Sequence, residues 1–221
     1  MTPSSTQTPA RSKDLLPNEQ EVTFEKFQNF LQQNKIVIAS LCIALILGAL
    51  GFTAWQIQKD KKIAQADAAL AAADSPEALE LVASNYADTE AGLLASLLVA
   101  DRYFQQKQWD KASAAYQNII NQHFQSPLAP SARIGLAAVL ESTGKIDDAV
   151  KTYKSAAADF PDSFQAPQAL FSAARLLEVK QPLEARKIYE EIITSHSESA
   201  WKSEAEDRLK SLETSSKASA H

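Results

Sequence analysis

The chain has 221 residues, 45% of them apolar and 22% charged, and a formal net charge of −5. Five glycines are too few for a phosphate-cradling loop or a turn-rich β protein. A single cysteine, Cys42, and three well-separated histidines, His123, His196 and His221, exclude a zinc site, a disulfide framework and a Cys-His dyad. The acidic excess lies beyond residue 57, where 18 Lys and Arg face 23 Asp and Glu, so no basic stripe is offered to nucleic acid.

Residues 1–20 are rich in Ser, Thr, Gln and Pro and predict a disordered tail, a composition that cannot bury a core. Over 21–35, Phe24, Phe27 and Leu31 fall at helical spacing with Glu21, Glu25, Lys26 and Gln28 opposite. This predicts a short amphipathic helix, which either lies against a membrane or a partner, or is the start of the next helix. Residues 36–57 carry no charge, and about 1.5 Å per residue brings a helix of that length to the roughly 30 Å hydrocarbon core of a bilayer. The run is longer than the roughly 7–15 apolar residues of a signal peptide and begins far from the amino terminus, so an uncleaved transmembrane helix is expected. Leu41 precedes Cys42 where a lipoprotein signal needs a small residue.

Basic residues leave the orientation open. Lys26 and Lys35 on the amino side face Lys59, Lys61 and Lys62 on the other, and adding Arg11 and Lys13 reverses the balance. Ser40, Ala44, Gly48 and Gly51 form a stripe of small residues, a face on which a second transmembrane helix can pack closely, although such residues are also common in spans without that role. Trp55 stands where an interfacial anchor belongs.

Residues 58–90 predict a helical linker and a degenerate repeat, its second half opened by Ser75-Pro76-Glu77. Over 91–198 three segments align. Ala112, Ala149 and Ala185 are spaced by 37 and 36 residues, and Tyr116, Tyr153 and Tyr189 repeat the same steps. Ile119, Ala156 and Ile192 follow the tyrosines, while Ala100, Ala137 and Ala173 stand twelve residues before the alanines, with Tyr103, Leu140 and Leu176 three further on. Each unit reads as two helices crossing at the alanines, with the tyrosines filling the layer between units. Gly144 suits a left-handed helix end, Asp147 a cap for the next helix, and Pro182 a first helical turn. Residues 199–213, with Trp201, Ala205, Leu209 and Leu212 on one side, predict a capping helix, and 214–221 a second disordered tail.

The expected fold is therefore all-α: a single transmembrane helix followed by an α-solenoid of helix hairpins. The repeats resemble the tetratricopeptide repeat, whose unit is about 34 residues long. Pro161 falls on that family's proline column, and Phe124 and Ser197 do not. In such solenoids the first helix of each unit lines a concave groove. The register then offers Leu94, Leu97, Asp101 and Phe104, next Ile134, Ala138 and Glu141, and finally Leu170, Ala174 and Leu177. The groove is mainly apolar and suits an amphipathic helix or an extended apolar segment. The Lys and Asn clamp for a terminal carboxylate is missing, some of these residues can equally pack inside the solenoid, and Arg102, Arg133 and Arg175 read as solvated or ion-paired.

No catalytic constellation is expected. Asp147-Asp148 and Glu190-Glu191 read as surface charge, His123 and His196 sit near helix ends, and no cofactor or small-molecule substrate is implied. From Phe24-Glu25-Lys26-Phe27 through the span and along the repeats, the arrangement resembles YfgM-like proteins. That resemblance implies a bacterial inner-membrane protein with a cytoplasmic tail and a periplasmic repeat domain. Its partners would be translocon subunits, a periplasmic chaperone and unfolded secretory proteins. A scaffold for envelope or cell-division assembly, or a cytosol-facing repeat receptor, is the alternative.

Overall fold

Ser75 and Thr89 open two helices in the same way. Each hydroxyl accepts a hydrogen bond from the backbone N–H three residues on, Ala78 at 3.2 Å and Gly92 at 3.1 Å, which satisfies a donor that the first helical turn leaves free. Pro76, Pro130, Pro167 and Pro182 sit in first turns, where a missing N–H costs nothing. The computed structural model describes residues 19–218, which hold ten helices and no strand. These are α1 Glu19–Gln33, α2 Lys35–Ala72, α3 Pro76–Asn85, α4 Glu90–Gln105, α5 Trp109–Gln122, α6 Ala129–Ser142, α7 Ile146–Asp159, α8 Ala166–Leu177, α9 Pro182–Ser195 and α10 Trp201–Ala218. The fold is all-α, as its periodicity predicts.

The chain divides into two units, Met1–Lys59 and Asp60–His221. In the first, α1 occupies the stretch expected to be amphipathic, and most of the tail expected over 1–20 lies outside the described residues. Asn34 separates α1 from α2. α2 contains an apolar window of mean hydropathy 2.5 with none of its residues buried, and is long and apolar enough to cross a membrane.

In the second unit, Ala69, Leu70 and Ala73 pack on Leu79, Val82, Ala95 and Val99, so the end of α2 supplies the missing half of the degenerate repeat. Hairpins α4/α5, α6/α7 and α8/α9 follow, each helix packed on the next, and α10 closes the array against α8 and α9. The crossing alanines Ala100, Ala112, Ala137, Ala149, Ala173 and Ala185 are all fully buried, and Tyr116, Tyr153 and Tyr189 lie in the core with them. The spacing thus reflects a steric requirement: only a methyl group fits where two backbones approach.

Two expectations are corrected. Asp147 does not cap α7: Lys145 holds the cap position without a side-chain bond, and Asp147 and Asp148 stand in the first turn, facing the positive end of the helix dipole. The tail expected to be disordered from residue 214 is helical as far as Ala218, beyond which the residues lie outside those described.

Gly144 has φ 77°, the left-handed conformation expected of it, and the turn closes with Lys145 N–H donating to Leu140 O at 2.9 Å. Lys107 occupies the same place in the first hairpin at φ 58°, with Gln108 N–H donating to Tyr103 O at 2.9 Å. Lys107→Gly relieves about 1–2 kcal/mol of left-handed strain against a gain of roughly 0.4–1 kcal/mol in unfolded-chain entropy. The urea midpoint should rise, and an unchanged or lower midpoint would contradict the strain argument.

Candidate functional site

Each second helix presents its core tyrosine to a carboxylate of the same hairpin, Asp101 on α4, Glu141 on α6 and Glu178 just past the end of α8. Tyr116 donates to Asp101, Tyr153 to Glu141 at 3.3 Å and Tyr189 to Glu178 at 2.7 Å. Two of these carboxylates also meet a guanidinium from further along the chain: Glu141 with Arg175 of α8 at 2.6 Å, and Glu178 with Arg208 of α10 at 3.5 Å. Burial, and then the acceptor carboxylate, raises all three phenols above the ordinary tyrosine range, Tyr153 to about 12. They therefore stay protonated donors at neutral pH and lock helix to helix.

Asp101 differs from the other two. Among the described residues no salt bridge reaches it, and burial raises its carboxyl above the usual range although the Tyr116 hydroxyl pulls the other way. A raised carboxyl favours the protonated fold, so its contribution to stability declines as pH rises from the unfolded value of about 3.9 through the folded one. Asp101→Asn keeps an acceptor for Tyr116 and removes the charge. Its unfolding midpoint should exceed that of the parent at pH 8 and match it in acid where both are neutral; a lower midpoint at pH 8 overturns this.

The residues expected to line a groove fall into two groups. Leu97, Leu170, Ala174 and Leu177 are buried, Leu97 with Ala112 and Tyr116, the others among Val150, Ala185 and Ile188. They hold the hairpins together, although Leu170 also reaches the wall of a cleft of about 700 Å³ and Leu177 that of one of about 300 Å³. The cause of their burial is packing on two sides: α4 lies against α3 and α5, and α8 against α7, α9 and α10. Leu94, Asp101, Phe104, Ile134, Ala138 and Glu141 are half-buried and form the strip that remains. Phe104 stacks edge-on to Trp109 at 5.3 Å, and Leu94 shares a cleft of about 370 Å³ with Leu70, Leu79, Leu98 and Asp101. Arg133 is paired with Asp159 and lies against Phe124 and Phe160, and Arg175 with Glu141, as expected of ion-paired arginines.

The sequence profile of the tetratricopeptide repeat-like domain matches residues 28–214. The chain belongs to this family. No curated protein matches it. A tetratricopeptide repeat-like domain is a module for protein–protein interaction, so the partners are proteins, and what matters is which apolar side chains it leaves open.

In the hairpins of this tetratricopeptide repeat-like domain the most exposed large apolar residues were not among those expected. Val179 is 92% exposed, Phe164 86% and Leu183 77%. Leu183 borders a cleft of about 700 Å³ with Lys154, Lys180, Pro182 and Lys187. A signal existed: Leu183 stands in the column of Asp110 and Asp147, and Val179 in that of Gln106 and Thr143, so the third unit is apolar where the others are polar.

On the apolar helix, Ser40, Ala44, Gly48 and Gly51 are all exposed, and a Cβ added at either glycine would meet nothing within 4 Å. The Ser40 hydroxyl donates to Val37 O at 2.8 Å and so needs no outside partner. His123 and His196 follow the last residues of α5 and α9, where their backbone N–H groups close the helices on Ile119 O and Ile192 O.

Proposed function

We propose that the chain is a membrane-tethered interaction scaffold, an ancillary translocon subunit that links periplasmic chaperones to secreted proteins. The observation that carries it is the extent of the family match, which begins before the apolar helix and ends in α10, so that anchor and repeats form one inherited unit. The likeness in arrangement to YfgM-like proteins supplies the finer reading: a bacterial inner-membrane protein with a cytoplasmic amino terminus and a periplasmic carboxyl domain. Partners then dock on the half-buried strip of Leu94, Asp101, Phe104, Ile134 and Glu141, with Leu97, Leu170 and Leu177 as the buried supports beneath it. The stripe of Ser40, Ala44, Gly48 and Gly51 faces a helix of the translocon.

A topology reporter fused after His221 tests the orientation; activity from a cytosol-only reporter removes the exported reading. Photocrosslinkers at Leu94 and Phe104 in growing cells should then capture translocon subunits or a periplasmic chaperone. Capture confined to envelope or cell-division assembly proteins would replace this function with scaffolding of that assembly.

A further inference from the structure

Phe27, Phe30 and Leu31 are exposed on one side of α1, while Lys26, Gln28, Asn29 and Gln32 occupy the rest of its surface. The apolar run begins at Ile36. At 1.5 Å per residue, Leu31 is about 8 Å and Phe27 about 14 Å along the axis from that point, whereas the headgroup layer is roughly 5–8 Å deep on each side of a bilayer. Continued straight, α1 would carry two phenylalanines through the headgroups into water.

Asn34 provides the break. Its backbone N–H and its Nδ2 both donate to Phe30 O, at 3.0 Å each, which closes α1, and its carbonyl accepts Ile38 N–H at 2.9 Å, the first bond of α2. Both of these bonds have ordinary helical spacing; the ladder is interrupted at Lys35, Ile36 and Val37, whose N–H groups take no carbonyl of α1, so the two helices can differ in direction there with those first-turn donors left to the polar headgroup layer.

We propose that α1 lies in the phospholipid headgroup layer with Phe27, Phe30 and Leu31 turned toward the acyl chains, a surface helix hinged at Asn34 to the span. The occupant of the apolar face is lipid, because the span holds this face within the layer. Glu19, Glu21 and Glu25 outnumber Lys26 in α1, so attachment comes from the apolar side chains and does not require anionic lipid. This rests on α2 being a membrane span.

The test uses the full chain in vesicles of phosphatidylethanolamine and phosphatidylglycerol. An environment-sensitive fluorophore is placed on Phe30→Cys or Asn29→Cys in a Cys42→Ala background, and on native Cys42 in the parent. The label at 30 should be blue-shifted, quenched by lipid-borne nitroxide and several-fold less open to an aqueous quencher than the label at 29, at low and at high salt. Equal access of water to 29 and 30 with a dry label at Cys42 overturns the surface helix and leaves the span standing. A wet label at Cys42 overturns the span and the surface helix with it. A dry label at 30 that lipid-borne nitroxide does not quench means that protein covers the face, which also overturns the proposal.

Discussion

Tyr189→Ala is expected to cost about 3–5 kcal/mol, the range for removing a fully buried aromatic side chain. The residue is completely buried, its ring lies 5.5 Å from that of Phe171, and its hydroxyl satisfies Glu178. The loss should also be local. In an array whose helices contact only near neighbours, stability is close to a sum over units, so the damaged end opens first. Trp201, 5.0 Å from Phe171, reports on that end, and Trp109, packed on Phe104, on the other. During urea titration in detergent, the Trp201 signal should move well before that of Trp109. Coincident transitions would mean that the array unfolds as a single cooperative block.

Gly92→Ala should be the most damaging small change. A Cβ built at Gly92 comes 1.9 Å from Tyr86 O and 2.4 Å from Tyr86 C, and backbone cannot step aside as the end of a side chain can. The same Tyr86 O accepts both the N–H and the hydroxyl of Thr89, each at 2.8 Å, so moving it disturbs the cap of α4. Overpacking accounts for about 1–3 kcal/mol, and loss of the cap for about 1 kcal/mol more. Here Trp109 should respond first. Gly48→Ala, which meets nothing, is the control. Wild-type stability in Gly92→Ala would refute the close approach of α3 and α4.

Much of this fold was legible because burial in a hairpin array depends on size, and size repeats. Alanine is needed at every crossing and tyrosine at every interlayer position, so both recur at fixed steps. The partners of those tyrosines do not recur. Asp101 lies one residue after Ala100, Glu141 four after Ala137 and Glu178 five after Ala173. All three reach the same face of a helix, since positions three or four apart overlie one another, yet they share no column. A hydrogen bond tolerates such slippage, whereas a methyl at a crossing does not. Which of the expected groove residues are buried was not legible, for another reason. Periodicity finds the apolar side of a helix but cannot tell one packed neighbour from two, and Leu97, Leu170 and Leu177 serve the second contact. Composition marks the end of the apolar run at residue 57, but no proline or glycine follows before Ser75-Pro76, and α2 continues to Ala72.

The tyrosine locks give the array a polarity. Glu141 is completed by Arg175 and Glu178 by Arg208, each arginine belonging to the helix pair or cap that comes next. Removing α10 therefore leaves Glu178 without its cation, and removing α8 and α9 as well does the same to Glu141, so α10 ends the array with a matching charge as well as a matching shape. A duplicated hairpin inserted behind α9 would keep this pairing if its first helix carried an arginine in register with Glu178. The amino-terminal hairpin makes no such demand, because Asp101 already does without one.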